Sequence, residues 1–170
     1  MNILNIEIKA RCPNPDRIRQ ILKEREAEFK GTDRQVDTYF EVPEGRLKLR
    51  EGTIENNLIY YEREDTPDAK SSHIELVSFE DTSGIKSLLT AALPVKVVVD
   101  KKREIYFINN VKFHIDEVKS LGSFVEVEAI DRNQNIGKVT LEQQCNFYRK
   151  LFNITDDDLV ANSYSDMLNG

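Results

Sequence analysis

Two cysteines, Cys12 and Cys145, in 170 residues are too few for a disulfide framework or a four-ligand zinc site. They read as free, packed thiols in a reducing cytoplasm. No apolar run approaches the roughly 18 residues that a membrane-spanning helix needs. The first residues lack a basic stretch followed by a long apolar one, so no signal peptide is expected. Positive charge is also in deficit, 24 Lys and Arg against 30 Asp and Glu, for a net charge of −6. That argues against a general nucleic-acid-binding surface and leaves room only for a local basic site. Low-complexity tracts, internal repeats and linkers are absent, so a single domain over 1–170 is expected, long enough to bury its own core.

What is present is alternation. In "NIEIKAR" (5–11), Ile6, Ile8 and Ala10 form one face, and Asn5, Glu7, Lys9 and Arg11 the other. Further strands are expected at 36–42 and 46–51, a hairpin turning at "PEG", then at 58–65 and 70–79. A long hairpin follows at 95–108 and 111–118 around the turn "NN", and then a strand at 123–130. Helices are predicted over 13–29, capped by Asn14 with Ile18, Ile21, Leu22 and Phe29 on or near one face, and over 81–93 and 137–152. The stretch 155–170 reads as partly helical at best, and its acid run "TDDD" as a solvated helix start. About eight strands and three helices, with strands mostly neighbouring in sequence, predict an α+β fold built on an antiparallel sheet, open or closed into a barrel.

The charged faces recur and are segregated by sign. Lys48 and Arg50 share a face in "RLKLRE", Lys101 and Arg103 in "DKKREIY", and Glu126 and Glu128 in "FVEVEA". Asp116 shares its side with His114, while Arg63 and Lys70 add bases at strand positions. A surface sheet normally mixes signs. Like charges about 4 Å apart repel by about 4 kcal/mol at an effective dielectric near 20, so such faces call for an offsetting ligand. A polyphosphate with a bound divalent cation suits them, carboxylates for the metal and Lys and Arg for phosphate oxygens. His114 reads first as a structural histidine, with a general-base role as the alternative.

The ordered set "NIEIKAR", "QVDTYF", "LKLRE", "KKREIYF", "HIDEV", "LGSFVEVE" and "SYSDML" resembles the CYTH superfamily, the triphosphate tunnel metalloenzymes, and within it the class IV adenylyl cyclase-like branch. The resemblance covers essentially the whole chain. It implies an eight-stranded antiparallel β-barrel, a tunnel with inward charged side chains. It also implies Mg²⁺ or Mn²⁺ at Glu7, Asp116, Glu126 and Glu128, and a triphosphate held by Lys9, Lys48, Arg50, Arg63, Lys70, Lys101 and Arg103. Lys9, Arg50, Arg103, Glu126 and Glu128 become the catalytic set. The family's Glu-x-Glu-x-Lys signature reads Asn-x-Glu-x-Lys here, so Asn5 keeps an oxygen ligand and loses a charge. The implied reaction is conversion of ATP to cyclic AMP and pyrophosphate. Hydrolysis of thiamine triphosphate or inorganic triphosphate, or non-catalytic polyphosphate or nucleotide binding, are the alternatives. Tyr39, Phe40, Tyr61 and Phe107 are candidates for a base pocket. No membrane partner is expected, and homodimerisation is left open.

Overall fold

The computed structural model describes residues 2–63, 66 and 68–169. In chain order the elements are β1 (Asn2–Arg11), α1 (Pro15–Glu24), β2 (Glu28–Phe40), β3 (Arg46–Glu51), β4 (Asn56–Arg63), β5 (Lys70–Ser78), α2 (Ser83–Ala92), β6 (Val95–Ile108), β7 (Val111–Val118), β8 (Gly122–Asp131), α3 (Lys138–Leu151) and α4 (Tyr164–Asn169). The strands form a closed antiparallel barrel in the order β1-β5-β4-β3-β2-β6-β7-β8. No helix among the described residues is long and apolar enough to cross a membrane.

The main hydrophobic core lies outside the barrel wall. Ile6, Ile8 and Ala10 of β1, Phe113 and Ile115 of β7, and Val125 and Val127 of β8 pack under α1 and α3. From the helices come Ile18, Leu22, Leu141, Cys145, Tyr148 and Phe152. Both cysteines are buried and free. With the apolar face turned outward to the helices, strict alternation drives the charged face into the barrel.

The structure corrects several boundaries. Helix α1 stops at Glu24, because Glu26 takes a left-handed conformation (φ 57°) and the Arg25, Glu26 and Ala27 amides turn back onto carbonyls of the last turn. Phe29 therefore belongs to β2, where it is half exposed and stacks on Tyr106 with ring centroids 4.9 Å apart. Strand β2 begins well before Val36, since residues 28–35 pair with the second half of β6 through a bulge near Gly31. The expected extension of β4 to residues 64 and 65 lies outside the described residues. A fourth helix forms at Tyr164–Asn169, and the "TDDD" run makes a turn rather than a helix start.

One mouth of the barrel carries the loop 52–55, fixed by a carboxylate distant in sequence. Buried Asp33 accepts the amides of Thr53 (2.7 Å), Ile54 (3.0 Å) and Glu55 (2.9 Å). A Cβ on Gly52 would lie 2.6 Å from both Asp33 Oδ1 and the Glu55 carbonyl oxygen. Gly52→Ala is therefore expected to displace the loop at a cost of about 1–3 kcal/mol, typical of overpacking, measurable by thermal unfolding.

Candidate functional site

Strand register brings the inward charges together. Lys9 lies opposite Glu126 and Glu7 opposite Glu128 across β1 and β8. Asp37 faces Arg50 across β2 and β3, and Arg103 faces Asp116 across β6 and β7. The signs that segregate along each strand thus interleave around the barrel. They enclose a cavity of about 400 Å³ lined by Asn5, Glu7, Lys9, Lys48, Arg50, Arg63, Lys101, Arg103, Glu126 and Glu128.

Two members of the expected set stand elsewhere. The Lys70 ammonium donates to the Val160 (3.0 Å) and Ala161 (2.6 Å) carbonyls, which ties down the segment that follows α3. It is absent from the cavity lining but stands within electrostatic reach of Arg63, Glu7, Lys9 and Glu126. Asp116 sits behind Arg103, accepting both arms of its guanidinium (2.7 Å each) and the Tyr164 hydroxyl (2.7 Å).

On the basic side the organising residue is Asp37, which sequence reasoning missed. It accepts two bonds from Arg50 (2.9 Å each) and one from Lys101 (2.7 Å), with Lys48 at 3.6 Å. Burial alone would raise its carboxyl, but the Arg50, Lys101 and Lys48 charges hold it well below the usual range. Glu55, from the Asp33-pinned loop, pairs with Lys112 (2.6 Å) and Arg50 (3.4 Å). Lys112 lines the cavity two residues before His114, so period-two reading could have found it. Glu55 had no such signal.

Burial lowers the Lys101 ammonium to about 7 despite Asp37. A polyphosphate anion placed beside it would raise it again, so binding of such an anion near pH 8 would be accompanied by proton uptake. Affinity should be greatest below about pH 7 and fall as pH rises, because the proton favours the complex. Calorimetry in two buffers of different ionisation heat measures the uptake, and Lys101→Met should abolish it.

On the acidic side Glu126 is heavily engaged, by Lys9 (3.6 Å), Arg103 (3.3 Å) and His114 Nδ1 (2.9 Å). Burial opposes its ionisation, but Arg103, Lys9 and His114 keep its carboxyl well below normal. Glu7 pairs with Arg63 at 3.0 Å. Glu128 accepts the Asn5 amide nitrogen. Because an ionised carboxylate only accepts, that contact fixes the amide orientation and leaves Asn5 Oδ1 buried without a partner. His114, Asp116 and Glu126 offer ligand atoms within 4.8 Å of one another. The Arg103 guanidinium already bonds both carboxylates of that cluster. Glu7, Glu128 and the orphaned Asn5 Oδ1 add further hard-oxygen donors beside that cluster, the donor type that fits Mg²⁺ or Mn²⁺.

The same cavity is also lined by the apolar side chains of Ile3, Ile59, Ile74, Leu76, Phe79 and Ile130, and by Tyr39 and Tyr61. Phe40 and Phe107 are not part of the lining. At the other end of the barrel Val160, Tyr164, Met167 and Leu168 pack against Tyr39, Val99, Val118 and Phe124. Lys9 stacks over the Tyr164 ring at 3.9 Å. That end is closed by the segment Lys70 anchors.

A closed antiparallel barrel whose interior interleaves carboxylates and bases around an elongated cavity defines a charged-tunnel protein. The CYTH domain family matches residues 4–164, and the chain belongs to it. CYTH proteins are metalloenzymes with a triphosphate tunnel fold, adenylyl cyclase-like or triphosphatase in activity. No curated protein matches the sequence. Among solved structures the chain is similar to the PH1012 protein of Pyrococcus horikoshii, at 26% identity and TM-score 0.80, covering 95% of this chain and 98% of that one. It shares the fold of a candidate adenylate cyclase from Vibrio parahaemolyticus, at 18% identity and TM-score 0.84, with 98% of each chain covered. It also shares that of a candidate adenylyl cyclase from Hippeastrum with a dominant triphosphatase activity, at 15% identity and TM-score 0.62, covering 99% and 95%.

Proposed function

We propose that the chain is a divalent-cation-dependent enzyme acting on an organic triphosphate held inside the barrel, with cyclisation of ATP to cyclic AMP and pyrophosphate as the first reading. The observation that carries it is a ring of inward Lys and Arg with oxygen donors and apolar side chains, all lining one cavity. Arg50, Arg63 and Arg103 offer planar forks to phosphate oxygens, and Lys9, Lys48, Lys101 and Lys112 add point charges. These residues fix the phosphate chain in line and take up charge developing on the leaving pyrophosphate. A divalent cation, held by Asn5 Oδ1, Glu7 and Glu128, would neutralise phosphate charge and polarise a phosphoryl oxygen when bound. The apolar side chains would exclude water from the organic group, whose place inorganic triphosphate would leave unfilled.

Hydrolysis is the second reading, favoured by the dominant triphosphatase activity of the Hippeastrum protein that shares this fold. Incubation with ATP, thiamine triphosphate and inorganic triphosphate, each with Mg²⁺ or Mn²⁺, separates the readings by product. Cyclic AMP with pyrophosphate marks the cyclase, and orthophosphate the hydrolase. Binding without turnover of any triphosphate would overturn the enzymatic reading.

A further inference from the structure

On the acidic side of the tunnel the acceptors Asn5 Oδ1 and His114 Nε2 have no hydrogen-bond partner, and neither do the donors Nε and Nη2 of Arg63. Asn5 and His114 are almost fully buried, 1% and 2% exposed, and both line the cavity. Glu128 joins them, receiving the Asn5 amide nitrogen on one oxygen and standing 3.9 Å from His114 Nε2 with the other.

The tautomer of His114 follows from its second nitrogen. Nδ1 lies 2.9 Å from Glu126 Oε2, and Glu126 is flanked by the cations Lys9 and Arg103, so that carboxylate is ionised and can only accept. Nδ1 therefore carries a proton. With Nδ1 committed to Glu126, Nε2 is the ring nitrogen left without a hydrogen-bond partner and available to ligate. Nε2, the Glu128 oxygen 3.9 Å from it and the orphaned Asn5 Oδ1 are then acceptors on three residues that line one cavity. Asn5 Oδ1 and His114 Nε2 receive no hydrogen bond in a buried place, and a cation held with the Glu128 carboxylate would satisfy both. A carboxylate holding Nδ1–H while Nε2 is left to ligate is also how metal-binding histidines are oriented.

We infer that His114 Nε2 is a nitrogen ligand of the tunnel's divalent cation, positioned by Glu126, and that it makes the site select a first-row transition ion such as Mn²⁺ over Mg²⁺. The inference rests on the proposed function for the presence of a cation in the tunnel, and adds its donor set and selectivity. Imidazole nitrogen ligates first-row transition ions, Mn²⁺ the weakest binder among them, whereas Mg²⁺ holds to oxygen ligands and its own waters. Asn5 fits this scheme, since a neutral amide lowers the negative charge that would otherwise favour a hard ion. Glu126 then acts through His114 as a positioning residue.

Pulsed electron paramagnetic resonance of the full chain loaded with Mn²⁺ alone is the test. The wild type should show ¹⁴N hyperfine coupling from one imidazole. His114→Gln should lose it, and His73→Gln, which alters the only other histidine, an exposed one, should retain it. In competition titrations the preference for Mn²⁺ over Mg²⁺ should fall by about tenfold or more in His114→Gln, the lower range for loss of a metal-site contact. Bound Mn²⁺ without ¹⁴N coupling in the wild type overturns the inference, whether or not the variant folds. If inorganic tripolyphosphate still raises the melting temperature in that case, the tunnel reading survives the loss. If Mn²⁺ does not bind and tripolyphosphate leaves melting unmoved, both readings fail.

Discussion

Asp37→Ala is expected to destabilise the protein by about 3–5 kcal/mol, the cost of breaking a buried ion pair from one side. Asp37 is 1% exposed and is shared by Arg50, Lys101 and Lys48, so its removal leaves three cations crowded in a cavity with reduced compensation. At about 2–4 °C per kcal/mol for a chain of this size, the melting temperature should fall by roughly 6–20 °C. Asp37→Asn keeps the shape and isolates the charge. Inorganic tripolyphosphate should recover much of the loss in both variants, because it supplies the missing negative charge. The pH dependence has a definite sign. The folded carboxyl lies well below its unfolded value near 3.9, so its contribution is present above about pH 4 and fades as pH falls toward the folded value. Thermal melts from pH 3 to 7, with and without tripolyphosphate, test this. A variant as stable as wild type would mean that the bases do not need Asp37.

Glu128→Gln should have the opposite profile, with turnover down by about 100-fold, equivalent to about 2.7 kcal/mol of barrier, and stability held or raised. Glu128 lies directly opposite Glu7 in the β1–β8 ladder, and like charges in that position destabilise. Its hydrogen-bonding partner is the neutral Asn5 amide, so neutralising it strands no cation. Glu126→Gln, by contrast, takes a carboxylate from Lys9, Arg103 and His114 and should cost stability as well as activity. Melting temperatures and initial rates on the two variants separate a residue that serves the ligand from one that also holds the network. Equal destabilisation by both would contradict the assignment.

The strands of the charged faces were legible because period-two alternation is local, as Glu7 and Lys9, Lys48 and Arg50, and Glu126 and Glu128 illustrate. Which face turns inward was not local information. It follows from α1 and α3 covering the apolar faces of β1, β7 and β8, and sequence reading reached it only through family resemblance. The first half of β2 was hidden because "EFKGTDRQ" is polar on both faces and becomes a strand by pairing with β6. Asp37 was overlooked inside "VDTYF", where aromatic neighbours blur the alternation. Glu55 reaches the cavity because Asp33, 22 residues away in sequence, holds its loop. Lys70 looked like one more inward base, and only the fold reveals the carbonyls of Val160 and Ala161 above it.

The central claim is that the barrel interior is built to receive a triphosphate with its cation. Thermal unfolding with and without tripolyphosphate or ATP, each with Mn²⁺ or Mg²⁺, tests it most directly. Ligand at 100 times its dissociation constant should add about 2.7 kcal/mol, raising the melting temperature by roughly 5–10 °C. Arg50→Ala, which removes a fork from the cavity, should shrink the shift at fixed ligand concentration. An unmoved melting temperature at saturating triphosphate with either metal would contradict the account.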